Sequence, residues 1–198
     1  MIPAPTRAAA PTAARIVEAA TNQFFARGYH GASMKELAEE AGVRSATLYY
    51  HFSSKEELLV AIMRSTLEEL TASVTAAVAA PRDPLAALRA AVTTHIHFHV
   101  ERHREVFLCD AELRALSTGV RAEIVSLRDA YEEIFRSTLR AGRAAEVLVV
   151  PQVDLVTRSL LASCSGVAFW FRPGGAMTVD EVAAAYVDLF LRALQARS

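Results

Sequence analysis

The stretch from Ser33 to His51 constrains this chain more than any other, because it reads as two short helices separated by little more than a glycine turn. Ser33 precedes Glu36 at the spacing of a capping box, in which the serine hydroxyl accepts from a free helix N–H and the glutamate bonds back to the serine backbone. Met34, Leu37, Ala38 and Ala41 then recur at helical spacing, Gly42 permits a tight turn, and Ser45 opens a second helix that runs through His51. Together with Val43, Leu48 and Phe52, these apolar residues can close a small core. Arg44, Ser45, Ala46, Thr47, Tyr49, Tyr50 and His51 are left as a cationic, hydroxyl and aromatic surface of a kind that suits a DNA major groove. The pattern is a helix-turn-helix.

The remaining sequence continues in helices. Ile16, Ala19, Ala20, Phe24 and Phe25 mark a first helix from Thr12 to Arg27, closed by Gly28 in the left-handed cap position. Ser53 with Glu56 gives a second capping box, and the helix it starts meets no Gly or Pro before Pro81, a reach of about 40 Å. Beyond the breaker Pro81-Arg82-Asp83-Pro84, helices are expected over Leu85 to His103, Arg104 to Leu116, Gly119 to Ala145, Pro151 to Phe171 and, after a capping box of Thr178 with Glu181, Val179 to Ala196. Val147 to Val150 is the one strand-like run. The expected fold is therefore all-α with about nine helices. It divides into an N-terminal arm over 1–11, a helix-turn-helix domain over 12–58 and a larger helical domain over 59–198. Pro and Ala without periodicity make the arm a disordered segment, with Arg7 as its one cation for reaching DNA.

Bulk charge does not announce a nucleic-acid partner. The net charge is -1, and Arg and Lys in the N-terminal domain are balanced by Glu, so any DNA affinity must come from where a few cations sit. Cys109 and Cys164 lack metal-ligand spacing and read as reduced, buried thiols of a cytoplasmic protein. The apolar stretch Ser159 to Phe171 falls short of the ~20 residues that span a bilayer, so no membrane role is expected. No G-x-S-x-G, H-E-x-x-H, P-loop or dinucleotide glycine pattern occurs, so the expectation is no enzyme, no catalytic residues, no cofactor and no metal. An enzyme would need a site assembled wholly by the fold around the histidines of 95–103.

From Phe25-Ala26-Arg27-Gly28-Tyr29-His30-Gly31-Ala32-Ser33-Met34-Lys35-Glu36-Leu37-Ala38, through Ala41-Gly42-Val43, to Thr47-Leu48-Tyr49-Tyr50-His51-Phe52-Ser53-Ser54-Lys55-Glu56-Glu57-Leu58, the chain resembles the TetR/AcrR repressors. The resemblance implies a ligand-responsive repressor that binds a palindromic operator in double-stranded DNA as a homodimer and is released by a small effector. It implies that Ser33, Tyr50, His51 and Lys55 hold phosphates, with Lys35 among the DNA-facing residues. Arg44, Ser45, Ala46, Thr47 and Tyr49 then lie at base edges or thymine methyl groups, with Arg44 the candidate for guanine. From the pattern alone Tyr49 and Tyr50 could instead be core, His51 a helix cap and Lys55 a solvated side chain. An activator, or a less specific DNA-binding protein of the same fold, satisfies the same residues.

In the larger domain, His95, His99 and His103 share a helical sector with Leu85, Leu88 and Val92, while His97 falls opposite with Glu101. Three readings compete: core histidines, polar groups lining an effector pocket, and a metal site for which no completing cluster is evident. The pocket reading groups His95, Phe98, His99, His103, Phe107, Tyr131, Phe135 and Phe169, with Leu108, Leu113 and Leu160 as further wall, and points to a largely apolar effector with a polar end. The run from His99 to Arg114 is also similar to a branch of these repressors tied to lipid and steroid catabolism, which implies an acyl-CoA effector. Ser159, Ala162, Ser163 and Gly166 form a small-residue stripe, beside apolar Leu160, Leu161, Cys164, Val167 and Phe171. With Val182, Tyr186, Leu189, Phe190 and Leu194 they read as a dimer face or as packing within one subunit. The resemblance favours the dimer, which would set two recognition helices ~34–36 Å apart or a multiple of that.

Overall fold

A computed structural model describes residues 11–194, and the suggested N-terminal arm with Arg7 lies outside the described residues except for Pro11. Ten α-helices follow one another: α1 (Thr12–Gly31), α2 (Met34–Glu40), α3 (Ser45–His51), α4 (Lys55–Ala79), α5 (Pro84–Glu101), α6 (His103–Ala111), α7 (Thr118–Ala144), α8 (Val153–Ser165), α9 (Val167–Trp170) and α10 (Val179–Leu194). A short 3-10 turn, Leu113–Ala115, joins α6 to α7. No strand occurs among the described residues. The expected helix from Pro151 to Phe171 is divided at Gly166 into α8 and α9, and that from Arg104 to Leu116 shortens into α6 and the 3-10 turn.

Two apolar clusters hold the chain together. The first gathers Ile16, Phe24, Leu37, Leu48, Leu58 and Met63 from α1 to α4, and it also takes in Leu108, Cys109, Leu116 and Ile124 from beyond α5. The second joins α4, α5, α7, α8 and α10 through residues such as Leu70, Val92, Ile96, Phe135, Leu160 and Val187. Helix α4 contributes to both and crosses from one to the other without a break.

Local chemistry sets the element ends. Gly28 takes φ 74°, ψ 159° and kinks α1, and the Tyr29 N–H just beyond it donates to Glu112 Oε1 at 3.0 Å. Gly42 turns at φ 64°, and a side chain there would meet the Arg15 guanidinium, which donates to the carbonyls of Ala41 at 2.5 Å and Gly42 at 3.2 Å. The capping boxes at Ser33 and Thr178 form as their spacing predicts. The one expected at Ser53 shifts by a residue: Ser54 caps α4 by accepting from the Glu57 N–H, Glu57 receives bonds from Ser53, and Glu56 instead accepts from the Ser117 N–H at 2.6 Å. Val147 to Val150 is not a strand. Its alternation is real, with Leu148 and Val150 buried and Val149 exposed, but it plugs the core end as irregular chain, and Val149 N–H bonds only to Leu194 O at 2.6 Å.

Candidate nucleic-acid interface and ligand cavity

Helix α3 shows how the outward surface arises. Leu48 is its fully buried residue, which anchors one side of the helix and turns the others out. Arg44, at the N-cap, and Ser45, Ala46, Tyr49 and Tyr50 are exposed, and Thr47 and His51 partly so. Tyr50 is 85% and Tyr49 53% exposed, which excludes the core reading for both. The Tyr50 and His51 rings meet edge to face at 5.2 Å. This face therefore leaves two tyrosines and an arginine to solvent and takes no part in the packing of the domain.

The flanking groups differ in how far they are engaged. Lys35 extends into solvent, 4.0 Å from Glu39. Lys55 donates to Ala32 O at 2.8 Å and lies 4.5 Å from the centre of the Tyr29 ring, so it braces the α1–α2 turn and has two ammonium protons left for an anion. Ser33 gives its single hydroxyl proton to Glu36 at 2.6 Å, and a phosphate contact there would require exchanging that bond. That bond and the Ser33 backbone N–H hold the Glu36 carboxyl below its ordinary pKa. Arg15, which clamps the turn, was not legible as a participant: its partners are backbone carbonyls that carry no sequence signature.

The histidine stripe divides. His95 and His99 are buried, 1% and 6% exposed, with rings stacked at 3.8 Å between centroids. His95 Nδ1 lies 2.5 Å from Tyr131 Oη, and Ser165 Oγ lies 3.1 Å from His95 Nε2 and 3.2 Å from His99 Nε2. Burial, with His99 adjacent, pushes the His95 pKa well below the usual imidazole range, and burial lowers that of His99 to about 4. Both are therefore neutral at pH 7. His103 is exposed, contrary to the expectation of three inward imidazoles. Helix α5 stops at Glu101, and Arg102 at φ -107°, ψ 33° resets the helical phase before α6. His97 pairs with Asp180 at 2.9 Å, tying α5 to α10. Among the described residues no group of three or more His, Cys, Asp or Glu is placed to hold a metal ion.

The paired histidines, Tyr131 and Ser165 wall a cavity of about 370 Å³ whose apolar sides include Leu67, Leu70, Val106 and Leu161. A second chamber of about 340 Å³ shares His99, Val106, Asp110 and Ser165 with it and adds Phe25, His103, Phe107 and Phe169. Phe98 and Phe135 line neither chamber. Both are core residues, with Phe135 edge-on behind His95 and Tyr131 at 5.9 and 5.7 Å. Leu108 and Leu160 are likewise fully buried core, and Leu113 packs on the first cluster. Ser165 and the Asp110–Arg128 ion pair are cavity residues that the sequence did not single out. Ser165 is useful only because α8 crosses α5, and that crossing has no local signal.

On α8, Ser159, Ala162 and Ser163 are exposed as a stripe in line with exposed Leu155, and on α10 Leu189 is exposed as well. Leu160, Leu161, Cys164, Val167, Val182 and Leu194 instead face inward and build the protomer's own core, and Phe171, Tyr186 and Phe190 pack against it. No helix among the described residues is long and apolar enough to cross a membrane.

Comparison with known proteins matches residues 16–62 to the model of bacterial regulatory proteins of the tetR family and residues 81–194 to the tetracyclin repressor-like C-terminal domain. The HTH-type transcriptional repressor KstR2 of Rhodococcus jostii (strain RHA1) is 31% identical over 181 residues, covering 90% of this chain and 89% of that protein. The HTH-type transcriptional activator FasR of Mycolicibacterium smegmatis is 40% identical, but over 42% of this chain and 38% of its own. Among solved structures, AibR in complex with isovaleryl coenzyme A and operator DNA superposes with a TM-score of 0.83 at 26% identity, covering 90% of this chain and 97% of that one.

Proposed function

Because this chain belongs to the TetR family of bacterial regulatory proteins, we propose that it is a ligand-responsive transcriptional repressor that binds a palindromic operator as a homodimer and releases it when a small effector fills the cavity. In this reading residues 12–58 contact DNA and residues 59–198 hold the effector and the dimer face. The protein works by binding rather than catalysis, in the cytoplasm where its operator is. Arg44, Ser45, Ala46, Thr47 and Tyr49 meet bases or sugars, and Lys35, Tyr50, His51 and Lys55 meet phosphates, with Ser33 holding the entry to α2. The exposed stripe of α8 with Leu189 of α10 is the surface left for the second protomer.

One observation carries the effector part: α6 lines both chambers and also packs on α1 and α4. Its Phe107 meets Phe25 of α1 edge to face at 5.2 Å, and its buried Cys109 lies against Met63 of α4. A ligand that displaces α6 displaces the frame of the recognition helix with it. Coupling of ~1–3 kcal/mol, ordinary for allostery, changes operator affinity ~5–150-fold. The AibR complex, with the similarity of His99 to Arg114 to the lipid-catabolism branch, supports an acyl-CoA thioester as effector class. Repressor is preferred to activator because the KstR2 match spans 90% of the chain and the FasR match 42%.

The test is footprinting on DNA upstream of the protein's own gene, with Arg44→Ala as control, repeated with saturating isovaleryl-CoA and longer acyl-CoA esters. A protected palindrome, lost in the variant and released by one of the esters, is expected. Absence of any specific protection at low salt overturns the operator reading, and protection that no ester weakens overturns the acyl-CoA assignment.

A further inference from the structure

We propose that the histidine wall of the cavity selects an effector that brings a hydrogen-bond donor to it, a hydroxyl or an amide N–H, and rejects one that presents only a carbonyl or carboxylate there. The proposal rests on the effector reading above and follows from one fixed proton. His99 Nδ1 lies 2.9 Å from the His95 carbonyl oxygen, which can only accept, so the proton of the His99 ring is on Nδ1. With burial keeping that ring neutral, Nε2 is a lone pair. Ser165 must therefore donate to it across 3.2 Å.

The rest of the chain of bonds then has one direction. Having spent its single proton, Ser165 accepts from His95 Nε2–H at 3.1 Å. His95 Nδ1 is left unprotonated, and Tyr131 donates its hydroxyl to it across 2.5 Å. Nearby on the cavity lining, Thr66 returns its proton to Ile62 O at 2.7 Å. Every donor of this network is committed to the protein, while Tyr131 Oη and Ser165 Oγ each keep acceptor capacity. In the first chamber Arg128, paired with Asp110, is the lining side chain that still has donors to offer, and the second chamber adds His103 and Arg172 away from the paired histidines' own bonds. A ligand carbonyl set against the wall meets lone pairs alone. Reversing the chain to greet it would point the His95 Nε2 lone pair at Ser165 Oγ, which has no proton left for it. An unpaired buried group of this kind weakens binding on the order of tenfold or more.

The test uses the full-length protein without DNA and a size-matched pair of probes, decahydro-2-naphthol and its ketone 2-decalone. Nitrogen-15 NMR of the imidazoles should show His99 as the Nδ1–H tautomer and His95 as the Nε2–H tautomer. Calorimetry should show the alcohol binding about tenfold or more tightly than the ketone, with the shifts of His95 and His99 moving as it binds. The opposite His95 tautomer, a ketone bound as tightly as the alcohol, or failure of both to move the histidine resonances overturns the proposal. None of these readouts involves DNA. A donor preference without operator release by any cavity ligand would therefore sink the effector reading and leave the donor rule standing.

Discussion

The recognition surface and the cavity wall are made from the same kinds of side chain, tyrosine, histidine and serine, put to opposite use. On α3, Tyr49 and Tyr50 are 53% and 85% exposed, and the hydroxyls and guanidinium beside them point to solvent. At the cavity, Tyr131 is 5% exposed and its hydroxyl, two imidazoles and a serine satisfy one another. Folding tolerates almost any polar side chain at the first site, because water is the alternative partner. At the second, a buried polar group must find its partner within the protein or destabilise it. Binding and stability should therefore separate when each region is perturbed.

The largest effect should come from behind the wall. Phe135→Ala removes a fully buried ring that backs His95 and Tyr131, and urea denaturation at fixed protein concentration should show a loss of ~3–5 kcal/mol. A loss below about 1 kcal/mol would mean that the wall is looser than its burial implies. Acid should act on the same region. His99 has a folded pKa of about 4 against 6.5 for the free side chain, so between those values the unfolded chain holds a proton that the folded one does not. Its contribution is fully present above pH 6.5 and is lost as pH falls toward 4, roughly 3 kcal/mol in all. His95, shifted in the same direction, deepens the loss. Unfolding curves at several pH values in this window, compared with those of His99→Gln, check the assignment, since the variant should be flatter.

The outward region should show the reverse pattern. Arg44→Ala should cost ~1–3 kcal/mol in operator affinity and relax preference at one base pair, while leaving stability within about 0.5 kcal/mol. Smallest of all, Lys35→Ala should weaken all DNA sequences alike and reduce the salt dependence of binding by about one unit of slope. An Arg44 variant that unfolds early, or a Lys35 variant that changes sequence preference, would break the separation between the two regions.

What the sequence made legible was local. The capping boxes at Ser33 and Thr178, the left-handed glycines 28 and 42 and the buried position of Leu48 each follow from neighbours a few residues away. What it hid depended on distant partners or on helical phase. His103 continued the histidine stripe on a helical wheel, but the reset at Arg102 takes it out of the buried network and leaves it exposed, lining the second chamber beside Phe25. Ser53 lost its capping role because Ser54 was equally able to fill it and Glu56 found Ser117, far along the sequence. Leu160, Leu161 and Cys164 are apolar whether they face a second protomer or their own core. Only the crossing of α8 with α5 and α7 decides that they face inward.

Helix α4 passes unbroken through both apolar clusters, and its 25 residues make a stiff rod about 37 Å long. Such a rod multiplies motion: a tilt of about 5°, pivoted near one end, sweeps the other through about 3 Å. Hydrogen bonds to phosphates and base edges survive displacements of only about 0.5 Å. If the cavity holds the effector as proposed, no large rearrangement is needed for it to act at the far end of the molecule. In that reading, a rotation absorbed by side-chain adjustment around Leu70 and Val74 would carry the Lys55 end through about 2 Å, by length alone enough for a misfit at the groove.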